Sequence, residues 1–306
     1  MSGNEMIAEQ FEANRGHLRA VAYRMLGSLS EADDAVQEAW LRLSRSDTSG
    51  VQNLAGWLTT VVARVSLDML RSRKAKAEEA LSEEAAEPAA NVATSSVKIG
   101  GASDPEQEAI LAESVGLALL VVLDTLAPAE RLAFVLHDMF AVPFEEIAAI
   151  AGRSVDATRQ LASRARRRVQ GVDKIPEGGI SAQRKVVDAF LNAIRAGDFE
   201  GLIAVLDPDV LVRAEVPGGG VREVRGARNW ATNALAYQRA HAAEFAQAGR
   251  SMQLALVDGL VSVILAPGGR LNRVLRFKVE DGKIREVDII TSAERLRGLD
   301  LAVLSD

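Results

Sequence analysis

Residues 143–168 read PFEEIAAIAGRSVDATRQLASRARRR, and this stretch decides the fold of the middle of the chain. Ile147, Ala148, Ile150 and Ala151 give a short helix a buried face. Gly152 then stands where a helix end needs a left-handed residue, a conformation that glycine adopts without steric cost. Ser154 is an N-cap for a second helix running to about residue 169. Along it Val155, Thr158, Leu161, Ala162 and Ala165 recur at helical spacing, while Asp156, Arg159, Gln160, Ser163, Arg164, Arg166 and Arg167 crowd the remaining surface. This is the pattern of a helix-turn-helix that buries one side and offers the other to a major groove. Asp156, Arg159, Gln160 and Ser163 are the expected readers of base edges, with Ser154 and Thr158 in the same DNA-facing set. Arg164, Arg166 and Arg167 fall nearer the phosphates. A helical hairpin with a solvated charged face fits the same residues.

At 306 residues, 48% of them hydrophobic, the chain has material for two or three domains with their own cores. It has no cysteine, which excludes a disulfide framework, a zinc ribbon and a thiol nucleophile. No basic segment followed by an apolar core opens the chain, and no apolar run reaches the length of a membrane span. A cytoplasmic location away from membranes is expected.

The net charge is −6, and the residues up to 171 hold all of it, with 18 Lys and Arg against 24 Asp and Glu. The half that carries the helix-turn-helix is the acidic half. Because affinity for duplex DNA comes largely from neutralised phosphates, this half should bind free DNA weakly and depend on a partner to deliver it.

Between residues 11 and 43 apolar residues recur at Leu18, Val21, Ala22, Met25 and Leu26, then at Val36, Ala39, Trp40 and Leu43. They describe two amphipathic helices joined near Gly27 and Ser28, with Ser30 as the expected cap of the second. A third helix, 54–73, is expected to bury Trp57, Leu58, Val61, Val62, Val65 and Met69. It would expose Arg64, Asp68, Arg71 and Arg73.

Three blocks carry a family resemblance: AYRMLGSLSEADDAVQEAWLRL (22–43), NLAGWLTTVVARVSLDMLRSR (53–73) and LAPAERLAFVLHDMFAVPFEEIAAIAGRSVDATRQLASRARRR (126–168). Together they resemble regions 2 and 4 of the extracytoplasmic-function sigma factors of bacterial RNA polymerase, in the right order and with a linker between. The resemblance implies that Asp33, Asp34, Gln37, Glu38 and Leu41 dock on the β′ clamp helices of the core enzyme, with Trp40 in the core, and that region 4 meets the β flap. It implies that Arg64, Arg71, Arg73 and Lys74 contact the opened −10 strand, and that the helix-turn-helix reads the −35 element as duplex. Binding to polymerase raises the effective concentration at the promoter, which offsets the unfavourable charge.

From residue 171 the pattern changes to α+β. Val187, Phe190, Leu191 and Ile194 mark a helix, 202–206 a shorter one, and 210–216 a strand. A helix over about 227–245 precedes four strands near 252–257, 261–265, 271–279 and 284–290. Asp258-Gly259 and Asp281-Gly282 are hairpin turns. This half resembles the SnoaL-like domain, and the whole chain resembles the sigma factors that carry one fused at the C-terminus, where it modulates activity. A loop motif of that group, Asp-Gly-Gly-Gly-Lys, aligns with Pro217, Gly218, Gly219, Gly220 and Val221. A terminal motif, Asn-Pro-Asp-Lys-Leu, aligns with Ser292, Ala293, Glu294, Arg295 and Leu296. A Trp-Leu-Pro-Glu-Pro motif is reduced to Glu87-Pro88. Gly218, Gly219, Gly220, Glu294, Arg295 and Leu296 are therefore the expected regulatory contacts.

The expected fold is multidomain: all-α sigma region 2 (1–76) and region 4 (109–171), then an α+β, cone-shaped SnoaL-like domain (181–306). A flexible acidic linker (77–108) and a short second linker (172–180) join them. Alternation along the strands leaves Arg213, Glu215, Arg273, Glu286 and Asp288 open as interior or surface groups. The three histidines, His17, His137 and His241, are dispersed, so no metal, cofactor or catalytic triad is expected. The expected partners are core RNA polymerase, promoter DNA and the chain's own C-terminal domain, with a monomer when free. A one-component regulator would leave 11–73 without a role, and a cyclase or isomerase would explain the last third alone.

Overall fold

The computed structural model describes residues 3–46, 51, 53–84, 116–171, 179–216, 219–240 and 252–304. In chain order its elements are α1 (Gly3–Leu26), α2 (Leu29–Arg45), α3 (Leu54–Glu84), α4 (Leu117–Thr125), α5 (Pro128–Phe134), α6 (Phe144–Ala151) and α7 (Val155–Gln170). The C-terminal part follows with α8 (Gly179–Ala196), α9 (Phe199–Val205), β1 (Leu206–Glu215), β2 (Val221–Arg225), α10 (Ala227–Ala240), β3 (Met252–Val257), β4 (Leu260–Leu265), β5 (Arg273–Glu280), β6 (Lys283–Ile290), α11 (Ala293–Arg297) and β7 (Leu301–Ala302). Two compact units form, and they do not follow chain order. One holds residues 1–108 with 126–165, the other 109–125 with 166–306.

In the first unit α1, α2 and α3 pack around Phe11, Leu18, Val21, Met25, Leu29, Val36, Leu43, Leu58, Val62 and Leu67, all buried. Gly27 turns the chain between α1 and α2 at φ 74°, a value that penalises any residue with a Cβ. That tight turn lets α2 begin at Leu29. Its cap is therefore Ser28, whose hydroxyl accepts from the Glu31 amide, and Ser30 lies inside the helix. Helix α3 continues through residues 77–84, where a linker was expected; the rest of that linker lies outside the described residues. Trp57 and Val61 are half-buried where α3 faces a cavity, and Met69 is half-buried further along the helix. Helices α5 and α6 pack on α3.

The second unit is built on a sheet of order β2-β1-β6-β5-β4-β3-β7, antiparallel except for the parallel pair β1 and β6. Its main core lies on one face, where Val212, Leu256, Val263, Phe277 and Val287 meet Val187, Phe190, Leu202 and Trp230 from α8, α9 and α10. Phe190 stacks on Trp230 at 5.6 Å and meets Phe277 edge-on at 5.0 Å. Both hairpin turns have the positive φ values of their type at Asp258-Gly259 and Asp281-Gly282. This is the expected α+β architecture, with β2, α11 and β7 added to what periodicity indicated.

Part of the other face of the sheet is buried too. Alternation places Gln253, Val257, Ile264, Val274 and Ile290 there, and all but Gln253 are fully buried. Helix α4, apolar on every side, packs against β3 and β7, and the Gln253 side chain accepts from the Ala118 amide at 2.7 Å. The Val303 amide donates to the Val169 carbonyl in the last turn of α7 at 2.9 Å.

Candidate nucleic-acid interface

Gly152 ends α6 at φ 67°. The Ser154 hydroxyl accepts from the Ala157 amide at 3.2 Å, fixing the start of α7 as expected. Ala162, Ala165 and Val169 are buried along one side. Asp156, Arg159, Gln160, Ser163, Arg164, Arg167 and Arg168 are exposed along the other, and Arg166 is half-buried. Thr158 departs from its expected role. It is buried, and its hydroxyl donates to the Ser154 carbonyl at 2.9 Å, so the packed side of the helix claims it.

Two of the guanidiniums are held ready. Arg159 sits between Asp156 at 3.0 Å and Glu145 at 3.5 Å, above the Phe144 ring. Arg164 pairs with Glu130 at 2.9 Å. The Arg159 pairs are exposed on both sides and contribute about 0–1 kcal/mol, so a phosphate can displace those carboxylates at little cost.

A second basic surface lies where the end of α2 meets the start of α3. Arg42, Arg45, Ser46, Trp57, Thr60, Val61 and Arg64 line a cavity of about 370 Å³. Residues 57, 60, 61 and 64 share one face of α3, while Arg42 and Arg45 come from the last turn of α2 and Ser46 is its C-cap. Arg64 was expected at such a surface; Arg42, Arg45 and Trp57 were not. Of the other expected contacts, Arg71 lies exposed 3.8 Å from Asp68, and Lys74 is exposed on the same helix. Arg73 turns inward, where it pairs with Glu31 and reaches the Leu26 carbonyl. These contacts tie α3 to the turn before α2.

On α2, Asp33, Asp34, Gln37 and Leu41 are exposed and form one surface with the half-buried Glu38. Asp33 pairs with Arg19 at 2.7 Å and Glu38 with Arg42 at 2.9 Å. Trp40 is half-buried against Phe11, the rings 5.0 Å apart.

In the second unit the groups left open by strand alternation fall mostly on the face away from the aromatic core. Arg213 binds Glu286 at 2.8 Å and Asp288 at 3.2 Å, and Arg276 binds Asp288 at 3.2 Å. Arg273 shares the parity of Phe277 and is half-buried. Glu215, at the end of β1, accepts from the Thr291 amide at 2.6 Å, the Ser292 amide at 2.7 Å and Arg295 Nη1 at 2.7 Å. Burial pushes its carboxyl up, but these hydrogen bonds win and hold its pKa down at about 2. One carboxylate thus joins the start of the glycine turn to the terminal motif. Gly219 and Gly220 have φ values of 91° and 102°, Glu294 is exposed, and Leu296 is buried. Gly218 lies outside the described residues.

Among the described residues no group of three or more His, Asp or Glu could hold a metal ion. None of their helices is long and apolar enough to cross a membrane.

Two family models match the chain: Sigma-70 region 2 over residues 10–76 and Sigma-70, region 4 over residues 116–169. The chain is 37% identical to the ECF RNA polymerase sigma factor SigJ of Mycobacterium tuberculosis, over 97% of this chain and 95% of that one. It is 33% identical to the probable ECF sigma factor SigI of the same species, over 97% of each. The crystal structure of SigJ aligns over 95% of this chain and 98% of its own, with 34% identity and a TM-score of 0.42. The chain belongs to the extracytoplasmic-function sigma factors. Such a factor binds core RNA polymerase and directs it to promoters, so α7 and the α2–α3 cavity are parts of an initiation factor.

Proposed function

We propose that the cavity between α2 and α3 receives an unpaired base of the opened −10 strand while α7 reads the −35 duplex. The observation that carries this is the lining of the cavity. Trp57 offers a face for stacking, and Arg42, Arg45 and Arg64 offer charge for the flanking phosphates. The acidic surface of α2 docks on the β′ clamp helices, region 4 meets the β flap, and the complex works in the cytoplasm with the polymerase. The sheet domain acts by binding rather than catalysis. Its Glu215 clasp sets the geometry of the glycine turn and the terminal motif, through which it modulates the sigma regions.

The test is a promoter with 2-aminopurine in the −10 strand, mixed with core polymerase and the protein. Fluorescence should rise as the base unstacks and then be quenched in the cavity. Arg64→Ala should slow the rise about tenfold, in the range of one lost charge-assisted contact, with polymerase binding unchanged. An unaltered signal in Arg64→Ala and Trp57→Ala together would remove the cavity from promoter opening.

A further inference from the structure

The stretch that leads into the helix-turn-helix, residues 135–144, reads VLHDMFAVPF. Pro143 has no amide hydrogen to donate and turns the residue before it away from helix, so the helical chain must break before α6. Residues Val135–Met139 widen into a π-helical turn. Ala141 then reverses the chain at φ 54°, a left-handed value that is unfavourable for a residue with a Cβ. Two bonds hold the reversal, from the Ala141 amide to the His137 carbonyl at 3.1 Å and from the Val142 amide to the Leu136 carbonyl at 2.9 Å. The Val142 carbonyl in turn lies 3.2 Å from His137 Nδ1, and because a carbonyl only accepts, the imidazole carries its proton there. A π-helical turn and a strained residue in one short connector point to something being held in position.

What is held is the ring of Phe144, the first residue of α6. It stacks on the His137 imidazole with the centroids 3.8 Å apart and the planes 27° apart. The Arg159 guanidinium of α7 lies over the same ring, its Cζ 5.7 Å from the centroid, inside the reach of a cation–π contact. Asp156 and Glu145 also hold Arg159, but both carboxylates are exposed and are repelled by the phosphates of an approaching duplex. The ring carries no net charge. Its hold on Arg159 persists, and strengthens as the interface excludes water.

We propose that Phe144, seated on His137, is a positioning residue for −35 selectivity: it keeps the Arg159 guanidinium in the orientation that reads one base. This rests on the reading of the −35 duplex by α7 given above. An arginine free on the surface samples many rotamers and loses them on binding. One laid across a fixed ring is confined to a single approach, which suits one base edge and not another. The π-helical turn and the strained Ala141 are then the scaffold of a specificity device that lies in the connector, outside the recognition helix.

The experiment is binding of core polymerase carrying the full chain to a library of −35 sequences. Arg159→Ala identifies the position that Arg159 reads. Phe144→Leu should lower the preference at that same position by about two- to fivefold, the range of one cation–π contact, and leave the position read by Gln160 unchanged. Phe144→Tyr, which keeps the ring, should retain the preference, and Phe144→Leu should add nothing once Arg159 is alanine. An equal loss at every −35 position, or the same loss with and without Arg159, would show that Phe144 only supports the fold and would overturn the proposal. A loss in Arg159→Ala with none in Phe144→Leu overturns it alone, whereas no loss in Arg159→Ala overturns it together with the part of Arg159 in reading the −35 element. Phe144→Met, which fills the space without a ring, gives the same readout if the leucine variant fails to fold.

Discussion

Glu215 Oε1 lies 2.7 Å from Arg295 Nη1, and the same carboxylate accepts the two backbone amides that open the segment leading to α11. The end of the first strand and the terminal helix are fastened by one side chain. The glycine turn begins immediately after it, so the two stretches aligned with group motifs answer to a common anchor. Arg295 is half exposed and Glu215 only 11% exposed, so the carboxylate is the member whose loss takes the acceptor from the Thr291 and Ser292 amides.

The sign of the pH effect follows from the depressed pKa. A carboxyl held at about 2, against a usual value of 4.5, stabilises the folded domain fully above pH 4.5 and loses that contribution as pH falls through about 2. Allowing for the solvent around Arg295, the contribution at neutral pH is about 2 kcal/mol. Glu215→Gln should lower the unfolding free energy of the full chain by about that amount at pH 7 and by progressively less as pH drops below 4. Urea titrations of both proteins across that range measure the difference.

Cutting the chain after Gly171 should not yield a clean pair of sigma regions. Leu117, Leu120, Val121 and Leu123 of α4 are buried in the same unit as the sheet, each contributing about 1.5–3 kcal/mol by its burial. Fragment 1–171 should bind a hydrophobic dye and self-associate, as seen by fluorescence and sedimentation. A monomeric, dye-free fragment would mean that α4 finds other cover.

On α7, Arg167 and Gln160 should separate affinity from selectivity. Arg167→Ala should weaken promoter binding by the holoenzyme evenly across sequences and reduce the salt slope by about 1. Gln160→Ala should relax preference at a single −35 position, at a cost of about 1–3 kcal/mol for the favoured base. Binding assays over a salt series on a −35 library distinguish the two.

Thr158→Val should leave that preference untouched. Its buried hydroxyl donates within the first turn of α7, so the loss appears as about 1 kcal/mol of stability, read from thermal melts.

Local chemistry made the helix-turn-helix legible down to its turn glycine and its cap, since Gly152 and Ser154 act on neighbours three or four residues away. The hairpins at Asp258-Gly259 and Asp281-Gly282 were legible for the same reason. The α2–α3 cavity was not, because its arginines and its tryptophan come from two helices whose junction no periodicity describes. The attachment of α4 was equally hidden: Ala118 and Gln253 are 135 positions apart, and a helix apolar on every side gives no direction to its burial. Arg131 of α5, buried with its Nε donating to the Arg24 carbonyl, illustrates a third limit. Charge assigns an arginine to the surface by default, and only the geometry at Gly27 and the end of α1 makes room for it inside. Thr158 failed for a milder reason, since a threonine at the edge of an apolar stripe suits either side of a helix.

The most direct test of the account is run-off transcription by core RNA polymerase on promoters in which the −35 and −10 elements are varied independently, with the protein, with its Arg64→Ala and Gln160→Ala variants, and without it. The account predicts defined start sites only when the protein is present and both elements are intact, with Arg64→Ala impaired at −10 and Gln160→Ala altered at −35. Tight sequence-specific binding to duplex DNA without polymerase, and no start site with it, would contradict the account.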